Sequence, residues 1–234
     1  MKVLVTGSSG YLGAPTCAAL QQKHIVRPYD LRDGKDIFDA ASLARALQGM
    51  DAVVHLAAIP RPLPDRSFAD YFQVNCVGTH QVVQAAVAKK VKRLVFASST
   101  AYYGIETGIP VQFPVREDQR TVPMYLKAED LTCTDGHIAY SESKVIAENI
   151  LAFYGLRKKI EIVILRFSAI GKVYQETSVS LENAVQGIVK ALESPKRLWY
   201  EAFNVVDDIA RVNNEKAKKV LGYRPGPAVE GPVV

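Results

Sequence analysis

Long apolar runs, paired cysteines and a strong charge of one sign are all missing from this 234-residue chain. No stretch approaches the ~18 consecutive apolar residues that a membrane helix requires. The first residues read Met-Lys-Val-Leu-Val-Thr-Gly, an apolar run stopped by Gly7 and too short for the core of a signal peptide. Cys17, Cys76 and Cys133 are odd in number, widely spaced and form no C-x-x-C pair, so neither a disulfide framework nor a zinc knuckle is expected. His24, His55 and His80 fall on expected strands or a helix without ligand spacing, and no metal site is expected. These absences point to reduced thiols, a cytoplasmic location and no membrane partner. Charge is mild: 29 Lys and Arg against 24 Asp and Glu leave +5, which suits solubility. Lys89, Lys90, Lys92 and Arg93 straddle an expected helix C-terminus, where the helix dipole favours cations, so no nucleic-acid partner is expected.

Apolar residues make up 48% and charged residues 23%, which excludes disordered and low-complexity classes. The length suits one α/β domain burying roughly 70–75% of its unfolded surface. Strand and helix periods alternate along it. Lys2–Thr6, His24–Tyr29, Asp51–Leu56, Arg93–Ala97 and Glu161–Phe167 read as strands. Tyr11–Gln22, Ala40–Leu47, Phe68–Ala88 and Ala139–Leu156 read as the intervening helices, with Pro15 tolerated in a first turn. That rhythm predicts an α/β fold with a doubly wound parallel sheet. Beyond Phe167 the expected elements are a helix over Ser180–Leu192, an extended Leu198–Val206 and a helix over Asn214–Leu221 closed by Gly222. The stretch 105–137 stands apart, with Pro110, Pro114, Pro123 and weak periodicity, and is expected to be a functional loop lying over the site.

Directly after the first strand comes T-G-S-S-G-Y-L-G, residues 6–13, opening into a helix. Gly7 permits a tight turn, Gly10 lets the backbone approach a pyrophosphate, and Gly13 lets helix and strand pack closely. N–H groups at the helix start, around Tyr11 and Leu12, then face the anion. The glycine turn predicts a dinucleotide site. Asp30, 17 residues after Gly13 at the end of the second strand, is placed to accept the adenosine ribose hydroxyls and to repel a 2′-phosphate. It favours NAD over NADP, with Arg27 and Arg32 beside it, and Asp36 and Ile37 are expected near the adenine.

With H-L-A-A at 55–58, N-C-V-G-T at 75–79, F-A-S-S-T-A-Y-Y-G at 96–104, Y-S-E-S-K at 140–144, L-R-F at 165–167 and K-A-K-K-V-L-G-Y-R-P at 216–225, the chain resembles the extended short-chain dehydrogenase/reductases. Within them it is similar to the NAD-dependent epimerase/dehydratase group. The resemblance implies a Rossmann-type domain over 1–167, including the insert 105–137. It also implies a reduced C-terminal substrate-binding portion over 168–234 that is not an independent domain. It implies a catalytic trio of Ser99, Tyr140 and Lys144. Hydride can leave a carbinol carbon only as the hydroxyl loses its proton, and a tyrosinate is a suitable base if its pKa falls from ~10 toward neutral. Lys144, at i+4 on the same helix face, and the nicotinamide cation supply the positive charge, while Ser99 holds the reacting oxygen. A second Y-x-x-x-K, Tyr154 to Lys158, lacks a serine-bearing strand end leading into it.

By position, Leu56, Ala57, Ala58, Asn75, Ser98 and Phe167 are implied as cofactor neighbours. Thr100 and His137 are implied as substrate contacts. Two departures matter: only 68 residues follow Arg166, little room for a nucleotide-sugar pocket, and Ser99 and Tyr140 are 41 residues apart. The compactness is similar to uronate dehydrogenases, yet Thr100-Ala101 replaces their Asn-His pair. Lys172 is the only cation close after Gly171. The expectation is an NAD-dependent oxidoreductase for a small hydroxylated substrate, a sugar or sugar acid. The alternatives are a nucleotide-sugar epimerase or dehydratase with tightly held NAD, and a dinucleotide sensor without chemistry. The resemblance further implies a homodimer through the helices Phe68–Ala88 and Ala139–Leu156, with Tyr71, Val83, Val87, Ile146, Ile150 and Phe153 as apolar positions.

Overall fold

Alternation along the strands dictates the layers. In Lys2–Thr6 (β1), Val3 and Val5 join one apolar core and Leu4 the other; in Glu161–Phe167 (β5), Val163 and Leu165 oppose Ile162 and Ile164 in the same way. Strands buried on both faces need helices on both sides, which β-α-β crossovers supply and hairpins do not. The computed structural model, which describes residues 1–107, 111–119, 133–171, 177–208 and 211–227, has this arrangement. Ile25–Tyr29 (β2), Ala52–His55 (β3), Arg93–Ser99 (β4) and Tyr200–Val205 (β6) complete a sheet in which every pair is parallel. The strand order is β2-β1-β3-β4-β5-β6.

One face is covered by Gly13–Gln21 (α1), Leu181–Glu193 (α6) and Glu215–Leu221 (α7), through residues such as Leu20, Ile188 and Leu221. Ala40–Leu47 (α2), Gly78–Ala88 (α4) and Asp135–Leu156 (α5) cover the other, through Leu43, Val82 and Leu151. No described helix is long and apolar enough to cross a membrane. From β1 the chain crosses to β2 on one side and then returns to β3 on the other. The crossovers therefore diverge at the carboxyl ends of β1 and β3, the crevice where open α/β sheets receive ligands. Register brings Thr6 beside His55, His55 beside Phe96, and Ser99 beside Phe167 along that edge.

The predicted elements recur with shifted ends. The expected helix 68–88 is interrupted: Phe68–Tyr71 (α3) and α4 flank a π-helical segment over Phe72–Val77, which an apolar period of 3.6 does not reveal. Helix α5 starts at Asp135, not Ala139, because its first turn is polar and His137 Nδ1 pairs with Thr134 Oγ1 at 2.8 Å. Tyr71 and Val83, expected on an outward dimer face, are wholly buried in their own subunit.

The first described part of the insert 105–137 packs beyond β6, while His137 at its end lies toward the carboxyl edge of the sheet. Val115 bridges to Val212, and with Tyr103, Ile105 and Val206 they form a small core beyond the end of β6. Pro110, Pro123 and the rest of 108–110 and 120–132 lie outside the described residues, as does Lys172. At the centre of the opposite core Leu151 is fully buried between α5 and the sheet. Leu151→Ala is expected to cost about 2–5 kcal/mol, read as a lowered urea midpoint with an unchanged slope.

Candidate active site

The glycine turn is built by collisions that only glycine avoids. Gly7 has φ +69°, and a Cβ on it would stand 2.7 Å from the backbone nitrogen of Ala57. A Cβ on Gly13 would overlap the Gly7 carbonyl. That carbonyl accepts the Gly10 N–H at 3.1 Å, and Gly10 in turn accepts from Ala14 as α1 begins. The result is a bare backbone cradle at a helix N-terminus, which suits a pyrophosphate. Gly7, Gly10, Tyr11, Leu12 and Gly13 form one wall of a cavity of about 1210 Å³. That exceeds the roughly 300–1,000 Å³ of a site for one small molecule.

Asp30, Asp36 and Ile37 line one end of this cavity. Asp30 also organises the turn: its carboxylate accepts the N–H groups of Ser9 and Arg32, both at 2.9 Å. Asp36 accepts the Phe38 N–H at 2.9 Å. Of the two arginines flanking Asp30, only Arg32 borders the cavity; Arg27 donates to Ala46 O at 2.6 Å and does not border it. Lys35 joins Arg32 there, a cation that the sequence reading missed.

Ser98, Ser99, Tyr140, Lys144 and Phe167 line the same cavity, as do Leu56, Ala57, Ala58 and His137. Ser99 caps the turn that follows β4, its Oγ accepting the Ala101 N–H at 3.1 Å. Tyr140 is 6% exposed, and the Tyr71 ring meets it edge-on at 6.2 Å between centroids. The Lys144 ammonium stands 5.6 Å from the Tyr140 ring centre and donates to Ala97 O at 3.1 Å. Burial pushes Lys144 down from 10.5 to about 8, against the opposing pull of Glu148 and, behind it, Cys76. His55, held between Thr6 and Thr79 hydroxyls, is driven down to about 3 by burial and then by Lys144, so it is neutral.

Two expected contacts stand back from the cavity. Asn75, in the π-helical segment, ties structure together: Oδ1 accepts the Ile59 N–H at 2.8 Å, and Nδ2 donates to Ile59 O and to Ser143 Oγ. Thr100 is buried with its Oγ1 3.5 Å from Ser168 Oγ, and Ser168 borders the cavity in its place. Pro60, Arg61 and Pro62, from the loop after β3, were not foreseen; Tyr71 pins that loop by donating to Arg61 O. The other Y-x-x-x-K lies far along α5, where Tyr154 pairs with His80 at 3.1 Å and borders no part of the cavity.

A family model described as the NAD dependent epimerase/dehydratase family matches residues 3–180. The chain is 28% identical to an L-arabinose 1-dehydrogenase (NAD(P)+) of Haloferax volcanii over 252 residues, covering 96% of each. It is 30% identical to a UDP-glucose 4-epimerase of Halalkalibacterium halodurans over 146 residues, covering 53% of this chain and 41% of that protein. A solved short-chain dehydrogenase/reductase superfamily protein from Agrobacterium tumefaciens with bound NAD shares the fold at TM-score 0.82 and 23% identity, covering 98% of this chain and 94% of that one.

Holding Lys144 dry has a cost of roughly 3 kcal/mol from its shift alone. Below about 8 both folded and unfolded chains carry the proton, so the penalty is complete; from there to 10.5 the unfolded chain alone keeps it, and stability rises with pH. Lys144→Met is therefore expected to unfold at higher urea than the unsubstituted protein near neutral pH, with the difference shrinking as pH climbs through that window. A difference independent of pH would contradict this.

Proposed function

The chain belongs to the NAD dependent epimerase/dehydratase family. From that premise we propose that it is an NAD-dependent oxidoreductase that oxidises a small sugar at a carbinol carbon. The supporting observation is that one cavity is bordered by both the glycine turn and the Ser99, Tyr140 and Lys144 side chains. In this reading the turn residues Gly7, Gly10 and Gly13 hold the pyrophosphate, and Asp30, Asp36 and Ile37 hold the adenosine. Leu56, Ala57, Ala58 and Phe167 border the nicotinamide. NAD supplies the hydride acceptor when bound.

Tyr140 is the base, taking the hydroxyl proton of the substrate onto its phenolate oxygen. The Lys144 ammonium favours that phenolate in surroundings where water screens little. Ser99 donates to the reacting oxygen and orients it. Asn75 acts one step back, fixing Ser143 beside Lys144 and the loop after β3. His137 and Ser168 are the side chains that meet the substrate, and residues 168–171 border its side of the cavity.

The match to the arabinose dehydrogenase over 96% of each chain supports net oxidation over epimerisation. That also favours a free aldose over a nucleotide sugar. The protein is read as cytoplasmic, in keeping with its three free thiols. It is also read as a homodimer through α4 and α5, whose surroundings expose Phe72 and Phe153 while Tyr71 and Val83 serve the subunit core. Sedimentation as a dimer, converted to monomer by Phe153→Glu, is the expected outcome; a monomeric unsubstituted protein would refute it.

The direct test of function is NADH fluorescence across aldoses, uronic acids and nucleotide sugars. At least one aldose is expected to yield stoichiometric NADH, and Tyr140→Phe to lower kcat by about a hundredfold or more with NADH affinity nearly unchanged. Substrate interconversion without NADH release would instead favour the epimerase.

A further inference from the structure

Glu148 lies one helical turn beyond Lys144 on α5, a spacing from which its carboxylate could pair with the ammonium. Here it does not. Both oxygens of the wholly buried Glu148 carboxylate are taken by other groups. Oε1 accepts from Arg166 Nε at 3.0 Å and from Ser98 Oγ at 2.6 Å, and Oε2 accepts from Arg166 Nη2 at 2.7 Å. The remaining guanidinium nitrogen donates to Tyr103 Oη at 2.8 Å, and the Tyr102 ring lies 3.5 Å beneath the plane. Such a bidentate, stacked arginine has no freedom to leave its partner. The Lys144 ammonium is left donating to Ala97 O beside the Tyr140 ring.

We infer that Arg166 is a positioning residue that keeps Glu148 occupied, so that the carboxylate cannot capture Lys144 and the ammonium stays with Tyr140. This rests on the reading of Tyr140 and Lys144 as base and electrostatic partner. The groups facing Lys144 leave no other candidate for the capture. From β3, His55 is neutral; from the π-helical segment, the Cys76 thiol is pushed up to about 11 by burial. Tyr71 from α3 meets the Tyr140 ring, and burial pushes its phenol above the usual range, so it carries no charge near neutrality. Among the described residues, Glu148 is the one carboxylate acting on the lysine.

Removing Arg166 frees Glu148 to draw the ammonium off Ala97 O and cancel its charge beside Tyr140. The phenol then releases its proton only at higher pH. The experiment compares Arg166→Met, Glu148→Gln and the double variant with the unsubstituted holoenzyme, by the pH profile of kcat/KM for sugar oxidation and by crystal structures. Arg166→Met is expected to move the acid limb upward by about one unit, a tenfold loss below it, with Lys144 Nζ found on Glu148. Glu148→Gln moves the limb downward. The double variant, in which glutamine still accepts from Ser98, returns the limb to the unsubstituted position and kcat/KM to within about threefold.

A folded Arg166→Met with an unmoved limb and Lys144 still on Ala97 O overturns the inference, as does a double variant shifted upward like the single. If Arg166→Met does not fold, the double variant, which removes the Glu148 and Arg166 charges together and so strands neither, decides alone: active with an unmoved limb supports, folded with a raised limb overturns. Full activity of Tyr140→Phe would instead sink the functional reading beneath it.

Discussion

A lysine ammonium buried at the carboxyl edge of a parallel sheet is the constraint on which the rest of this site depends. Taken out of water, Lys144 loses hydration that Ala97 O restores only in part, and its affinity for a proton falls. A cation held this way spends its field on what lies next to it, because little solvent intervenes. Tyr140, on the same face of α5, is that neighbour. The buried pair beneath it, Glu148 with Arg166, fixes α5 against β5 and the end of β4 and holds the ammonium's surroundings still.

Topology explains why these groups meet a cofactor turn at all. The turn follows β1, Lys144 and Tyr140 belong to a helix between β4 and β5, and Ser99 ends β4. All of these lie toward the carboxyl edge of one sheet, next to the divergence between β1 and β3. Rigid elements carry the reactive side chains, while the loop after β3 is pinned by Tyr71 and Asn75. The small core of Tyr103, Ile105, Val115, Val206 and Val212 anchors the first described part of the insert beyond β6, and His137 at the insert's end borders the cavity.

Much of this was legible from local chemistry. Continuous apolar runs such as Ile162–Leu165 identified strands buried on both faces, and the glycines of the turn marked a left-handed backbone at Gly7 and a close approach at Gly13 that leaves no room for a Cβ. The i+4 spacing of Tyr140 and Lys144 was readable as one helix face. What escaped depends on who meets whom across the fold. The π-helical segment around Asn75 has no apolar signature, and the residue's tie to Ile59 spans a loop. Thr100 lies in the tight turn after Ser99, its hydroxyl beside that of Ser168, which sequence position does not convey. Glu148 and Arg166 left a faint trace, a carboxylate one turn beyond Lys144 and a guanidinium between Leu165 and Phe167. Their pairing, however, is a tertiary fact. The insert is the opposite case: prolines and weak periodicity mark a loop without saying where it packs.

The central claim is that a phenol in this cavity is acidic because an ammonium stands beside it. Tyrosinate absorbance, titrated with NAD bound, measures that acidity without turnover. The account predicts one tyrosine ionising near neutrality in the holoprotein, well below the usual value of about 10, and its loss when Tyr140 is replaced by phenylalanine. A titration in which every tyrosine ionises in the ordinary alkaline range, identical with and without Tyr140, would contradict it.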